Sequence, residues 1–376
     1  MRIAFVQNVP INDHRMIHTD GVARELLKRG HNVDVIIQES DEKLQFSNLP
    51  YKVIYIPGGT YSILGQLKFA YGLYKFLKKR KYDVIHTKNP FSSILPVLMR
   101  KSGAKVVYDV RGLWIDFGVH SGDIPGIIVP FLRHVDMLCM RKANRVIAIS
   151  NELKNMLVER GLDECKVNVI VGDGVNLNKI NSLQTKDIRD ALGINGKVIG
   201  YVGSISEARN SHKIIESFEF LKNKYKAKIN LVMIGPIYDK PFFMDLIAKK
   251  NLMGDVHFIG FIKSHDEVLS FIKSFDVVVA FHDINNPCFN VMVPTKILEY
   301  MATGSSIIAT NHKCHRSLLK HRYNGYLTGQ TPEAFSRGLL HVLKNKELRN
   351  KMSLNSKITA KSFSFQKIVD QLETLY

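Results

Sequence analysis

The stretch Pro294-Thr295-Lys296-Ile297-Leu298-Glu299-Tyr300-Met301-Ala302-Thr303-Gly304 follows the apolar run Val277-Val278-Val279-Ala280-Phe281. Together they read as a buried strand, a loop and a short helix. Pro294 suits the first helical position, where a missing N–H costs nothing, and Gly304 suits the left-handed position just past the helix end. Lys296 and Glu299 are three residues apart, so they are neighbours on one helix face. The N-terminus of that helix presents unpaired N–H groups and a partial positive charge, which favours a phosphate-like anion.

Working outward, the same strand–loop–helix unit recurs. Short runs rich in Val and Ile fall at 3–7, 33–37, 53–56, 84–87, 106–109, 146–150 and 167–171. Helical patterns lie between them near 13–29, 62–79, 91–101, 125–142 and 151–160, with Gly30 and Ser150 as end signals. The second half repeats the logic, with strands at 198–202, 229–234, 257–262, 276–281 and 306–310 and helices near 211–224, 241–250, 264–275 and 294–303. Such runs suit parallel strands buried on both faces, and alternating βα units imply helices on either side. The polar stretch 172–184, rich in Gly and Asn, marks a boundary. The expectation is an α/β protein of two Rossmann-like, doubly wound domains facing a cleft, with ligands at the carboxyl ends of the strands.

Composition agrees. A chain of 376 residues is too long for one ordinary core. Lys and Arg number 53 against 34 Asp and Glu, a net charge of +19, which calls for an anionic partner. No zinc-finger, RNP-type or basic-zipper pattern supports nucleic acid. The four cysteines are scattered without CxxC spacing, which argues against a zinc site or disulfide framework and for a reducing, cytoplasmic setting. No signal peptide is read at the N-terminus, and no run reaches the roughly 18 apolar residues of a spanning helix.

The second domain opens with Gly200-Tyr201-Val202-Gly203-Ser204-Ile205-Ser206-Glu207-Ala208-Arg209. Gly203 would let the backbone approach a phosphate, and Arg209 would neutralise it. The pattern is not G-x-G-x-x-G, so the dinucleotide fingerprint is absent. Arg209 and Lys296 follow two strands of one sheet and would grip a diphosphate together. Glu299 would accept hydrogen bonds from ribose hydroxyls. Its plainer alternative is an i,i+3 salt bridge to Lys296.

At this point the chain resembles the retaining glycosyltransferases of family 4, which have the two-Rossmann GT-B fold. Ile147-Ala148-Ile149-Ser150 is similar to that family's V-I-x-V-S element, Gly172-Asp173-Gly174-Val175-Asn176 to its N-G-V-D turn, and Asn324-Gly325-Tyr326-Leu327 to its N-G-x-L element. The tail from Phe363 to Tyr376 resembles the last helix, which in this fold crosses back onto the first domain. The resemblance implies domains at 1–175 and 176–358, with 359–376 as the returning helix. It implies transfer of a sugar from a nucleotide-sugar donor to a glycan or lipid-linked acceptor. No cofactor or metal is expected, since the leaving diphosphate would take the acceptor proton and no D-x-D pair is present. Glu299 matches the second glutamate of the E-x7-E motif, the ribose ligand. Val291 stands where the first glutamate would contact the donor sugar, a departure shared with a P-[ST]-K-x-x-E-Y subgroup. Ser204 replaces a usual Arg, leaving Arg209 as the basic match.

The first domain carries Asp109-Val110-Arg111-Gly112-Leu113-Trp114-Ile115-Asp116. It is similar to the subgroup's R-D-L-W-P variant, with Gly112 in the place of Asp. The implied site set is Arg209, Lys296 and Arg111 as catalytic groups, and Gly203, Glu207, Glu299, Pro294 and Thr295 on the donor. Arg15, Asp116 and His120 are candidates on the acceptor side. Tyr74-Lys75-Phe76-Leu77-Lys78-Lys79-Arg80-Lys81 and the stretch from Ile124 to Arg133 mix basic and apolar residues. They suggest a peripheral contact with an anionic inner-membrane surface, against the plainer reading of a buried helix with a solvated basic end. A nucleotide-sugar epimerase and a non-catalytic nucleotide-sugar-binding homologue are the competing classes.

Overall fold

The structure is a computed structural model, and it describes residues 1–9, 16–39, 49–58, 63–99, 103–120, 122, 124–283 and 287–376. The chain divides into two compact units, Met1–Gly174 with Phe365–Tyr376, and Val175–Ser364.

The first unit is built on β1 (Arg2–Val6), β2 (Asn32–Gln38), β3 (Lys52–Ile56), β4 (Val84–Thr87), β5 (Lys105–Val110), β6 (Arg145–Ala148) and β7 (Val167–Val169). They form one parallel sheet in the order β3-β2-β1-β4-β5-β6-β7. The intervening helices are α1 (Met16–Lys28), α2 (Ile63–Leu77), α3 (Pro90–Leu98), α4 (Trp114–His120), α5 (Val129–Lys142) and α6 (Asn151–Glu159). Ser150 caps α6 through its hydroxyl, which accepts from the Leu153 N–H at 3.0 Å. The last helix, Phe365–Glu373, belongs to this unit. The Phe365 ring lies so close to α1 that a Cβ on Gly21 would meet it at 2.1 Å. Arg29 of α1 pairs with Glu373 at 2.7 Å and Asp370 at 2.8 Å.

The second unit holds β8 (Lys197–Val202), β9 (Ile229–Ile234), β10 (Val256–Gly260), β11 (Val277–Ala280), β12 (Ile307–Thr310) and β13 (Tyr326–Thr328). Their order is β10-β9-β8-β11-β12-β13, again all parallel. β9 and β11 are buried at every residue, as strands covered by helices on both faces must be.

In both sheets the strand order reverses once, between β1 and β4 and between β8 and β11. Loops leaving the carboxyl ends there diverge and open a crevice. The strands read from sequence are found within a few residues. The sequence reading omits β13, α4 and the helices Pro332–Lys344 and Lys346–Ala360. β13 is three residues long and α4 seven, too short for a periodic signal. One end signal shifts. Pro294 is the N-cap (φ −70°, ψ 114°) of helix Thr295–Thr303, one place before the expected first helical position, while Gly304 takes the left-handed end at φ 75°.

Candidate functional site

In the second unit the reversal brings together the loop after β8 and the segment after β11. Gly203, the first residue past β8, has φ 140°, and a Cβ there would lie 2.7 Å from the Lys296 Nζ. The lysine therefore rests against bare backbone. It sits over the Tyr201 ring, 4.1 Å from the centroid. Among the described residues it forms no ion pair, so the alternative i,i+3 bridge to Glu299 is not what holds it. The backbone around it is fixed from both sides. The Val202 N–H donates to the Tyr300 hydroxyl at 2.8 Å, and the Tyr201 hydroxyl donates to the Ser204 carbonyl at 2.9 Å.

Arg209 ends the short 3-10 turn Glu207–Arg209, and its guanidinium lies 5.8 Å from the centroid of Phe289. Burial lowers its pKa, outweighing nearby tyrosines. The same Phe289 ring touches His282 at 4.6 Å, so Arg209 and His282 share one wall. Glu207 is exposed. Pro294 is buried and Thr295 partly buried, at the start of the helix that carries Lys296 and Glu299. Glu299 receives a 2.7 Å hydrogen bond from the Nε2 of His265, and its side chain is 13% exposed. Burial would lower the His265 pKa, but the Glu299 bond and charge win and raise it.

The loop after β5 in the first unit looks different. The Arg111 Nε donates to Asp109 Oδ2 at 2.7 Å, and its Nη1 donates to the Gly172 carbonyl at 2.8 Å and to Asp173 Oδ1 at 3.5 Å. Its Nη2 donates to the Nε2 of His18 at 2.8 Å. The His18 Nδ1 must then carry the proton it gives to the Asp173 carbonyl at 2.5 Å. The same Asp109 Oδ2 also accepts from the His86 Nε2 at 3.1 Å, and His86 Nδ1 accepts from the Tyr376 hydroxyl at 2.8 Å. Burial alone would push the Asp109 pKa up. Arg111 and the His86 bond hold it well below the carboxylate range. Arg111 is thus committed inward on four sides. Asp116 accepts from Arg133 at 2.6 Å. His120 ends α4, and its side chain lies outside the described residues, as does the whole of Arg15.

The sequence reading missed His18, His86, Asp173, Tyr376 and His265, all scattered residues with no motif of their own. It also missed a cluster made by the pairing of β11 with β12. His282, Cys314 and His315 are buried with their ligand-type atoms within 4.8 Å of one another. Hydrogen-bond bookkeeping accounts for the histidine pair. The His315 Nδ1 donates to the Thr310 carbonyl at 2.7 Å, so its Nε2 accepts from His282 Nδ1, also at 2.7 Å. Burial, the partner histidine and the nearby Lys296 and Arg209 keep His282 neutral. The cluster reads as a neutral chain bracing the wall beside Lys296.

A strand-end crevice holding cations against glycine backbone in doubly wound units suits a phosphate-bearing ligand. A model of Glycosyltransferase Family 4 matches residues 17–178, and one of Glycosyl transferases group 1 matches residues 184–359. The chain belongs to these glycosyltransferases. It is 26% identical over 399 residues to the UDP-Gal:alpha-D-GlcNAc-diphosphoundecaprenol alpha-1,3-galactosyltransferase of Escherichia coli, spanning 100% of this chain and 96% of that protein. It is 23% identical over 369 residues to the capsular polysaccharide biosynthesis glycosyltransferase CapM of Staphylococcus aureus, 93% and 91% of the two chains. Among solved structures, Anabaena HepE in complex with UDP and glucose superposes with a TM-score of 0.79 at 18% identity, covering 100% of this chain and 99% of that one. That likeness establishes the GT-B fold. Among the described residues no helix is long and apolar enough to cross a membrane.

Proposed function

We propose that the protein is a retaining glycosyltransferase that moves a sugar from a nucleotide-diphosphate sugar to a glycan or lipid-linked acceptor. The observation that carries this reading is Lys296. Its ammonium lies against the Gly203 backbone and the face of Tyr201, and no carboxylate among the described residues neutralises it. A cation kept partly out of water without an anion is costly unless a ligand supplies one. Arg209 on the neighbouring loop would hold the same diphosphate. Gly203, Pro294 and Thr295 would frame it, Glu207 would face the donor from the loop rim, and Glu299 would take the ribose hydroxyls. As the sugar–oxygen bond breaks, charge grows on the diphosphate, and Lys296 and Arg209 stabilise it there. The leaving group can then accept the acceptor proton, so no metal or protein base is required.

On the first unit, Arg111 would act by fixing the loop after β5, with Asp116, His120 and Arg15 towards the acceptor. The E. coli relative's lipid diphosphate substrate supports a lipid-linked acceptor and a peripheral, cytoplasmic-face location. So does α2, whose outward stripe Leu64, Leu67, Tyr71, Lys75 and Lys78 mixes exposed apolar and basic groups.

The test is incubation with UDP-, GDP- and ADP-sugars while following nucleotide release and the fate of the sugar. One donor should release its nucleotide with the anomeric configuration kept in the product. Sugar isomerised without transfer would indicate an epimerase, and tight binding without turnover a non-catalytic homologue.

A further inference from the structure

A cavity of about 440 Å³ lies in the first unit, walled by α4, α5 and α6. Its size is that of a small-ligand pocket. Pro130, Arg133, His134, Met137 and Arg141 line it from α5, at helical spacing along one face. From 130 to 141 that face runs roughly 16 Å. The slot is therefore long and narrow.

Its chemistry changes along its length. The middle is mostly apolar, with Met137, Met140, Leu157 and Trp114, and carries one acid, Asp136. The indole N–H of Trp114 is buried there and lies close enough to Asp136 to stabilise its carboxylate, yet it reaches no acceptor at full hydrogen-bond geometry. At one end Arg133 is neutralised by Asp116. Beyond it Phe131 and Ile127 stand exposed at 68% and 89%. At the other end Arg141 and Arg160 form no close ion pair among the described residues, and Arg160 acts on Asp136 only through its charge at a distance. Lys166 adds a third cation by donating to the Arg141 carbonyl at 2.8 Å. The two helix C-termini there contribute roughly −0.5 each, too little to cancel the full cationic charges. The slot thus has a cationic end, an apolar body and an apolar exit.

We propose that this slot holds one anionic lipid of the membrane surface, its phosphate on Arg141, Arg160 and Lys166 and its chain laid over Met137 and Met140 towards Phe131. A membrane lipid is favoured over the sugar acceptor by the place of the cationic end, although Gly112, Leu113 and Asp116 at the other end follow the carboxyl end of β5. α5 and α6 run antiparallel to the strands, so their C-termini lie at the amino edge of the sheet. Chemistry in such sheets occurs at the carboxyl edge. The proposal rests on the reading that the first unit works at an anionic membrane, and it gives that contact a specific lipid-phosphate site.

Trp114 is the only tryptophan of the chain, so its emission reports the slot directly. The full chain is titrated with dodecyl phosphate below its micelle concentration. A saturable change in Trp114 emission is expected, with dodecyl maltoside and inorganic phosphate at least tenfold weaker. The double variant R141Q/R160Q, altered only at exposed positions, should raise the midpoint at least tenfold. M137F, which fills the slot, should abolish the response at unchanged unfolding temperature. Equal binding of dodecyl maltoside would reveal a merely apolar slot, equal binding of inorganic phosphate a bare anion site, and a silent titration no site. Any of these overturns the proposal. Sedimentation with phosphatidic-acid vesicles separates the two readings. Arg-dependent vesicle binding supports both, whereas a saturable titration without vesicle binding removes the membrane reading and leaves the slot as an amphiphile site.

Discussion

Two loops leaving strand ends hold their cations in opposite ways. After β5, Arg111 is enclosed by Asp109, Asp173, His18 and the Gly172 carbonyl, and Asp109 and His18 are in turn held by His86 and the Asp173 carbonyl. After β11, Lys296 rests on a ring and a glycine, and among the described residues no carboxylate pairs with it. A paired, buried cation has its charge settled by the protein and belongs to the architecture. A cation left without an anion in a concave, part-desolvated place is set for a ligand's charge. The Asp173 and Gly172 contacts also show where the Arg111 cluster acts. It ties the last residues of the first unit to β5.

The largest way to break this contrast is R111M. Removing one partner strands the buried Asp109 charge, and the loss in unfolding free energy should be about 3–5 kcal/mol. Urea denaturation measures it. A fully stable R111M with lost transfer would make Arg111 catalytic and erase the distinction. K296A should do the reverse. Turnover should fall on the order of 10²–10³-fold, as for other groups that stabilise a developing oxyanion, with unfolding unchanged. Steady-state kinetics against the accepted donor reads it. Unchanged kcat would remove Lys296 from the diphosphate.

Asp136 sharpens the comparison from a third side, as a deep-set acid with no cation bonded to it. Burial raises its pKa to about 6, against the Tyr108 hydrogen bond, the nearby Trp114 indole N–H and the Arg160 charge. Because the folded pKa exceeds the unfolded one, its contribution is most favourable below the unfolded value and declines as pH rises through about 6. D136N should therefore stabilise the protein at about pH 8 by roughly 2–3 kcal/mol, with the gain shrinking towards about pH 4. Thermal unfolding across that range decides. The smallest effect expected is for E299Q, which keeps shape and loses charge. Nucleotide Kd should rise about tenfold, or about 1.4 kcal/mol, by calorimetry. An unaltered Kd would release Glu299 from the ribose.

Much of the fold was legible because parallel strands covered on both faces must be apolar throughout, and 277–280 or 229–234 show this without context. The helix 295–303 was legible because its ends carry their own signals. Partners were not legible. Glu299 was weighed against a salt bridge to Lys296, whereas its bonded neighbour is His265, 34 residues away. Nothing in the spacing of His18, His86, Asp109, Asp173 and Tyr376 links them. They meet because α1, β4, β5, the loop after β7 and the chain past the last helix converge in the first unit.

The sequence by itself determined that the chain makes two parallel α/β units, because backbone burial and turn chemistry are local, and its motifs carried the resemblance to family-4 glycosyltransferases. It also named Lys296, Arg209 and Glu299 as the cationic and acidic groups near one strand end. Only the tertiary structure decided which charges are already satisfied. Arg111 and Lys296 are equivalent as letters. Long-range strand order gives one of them two carboxylates and the other a bare glycine, and electrostatic energy depends on those distances rather than on residue type.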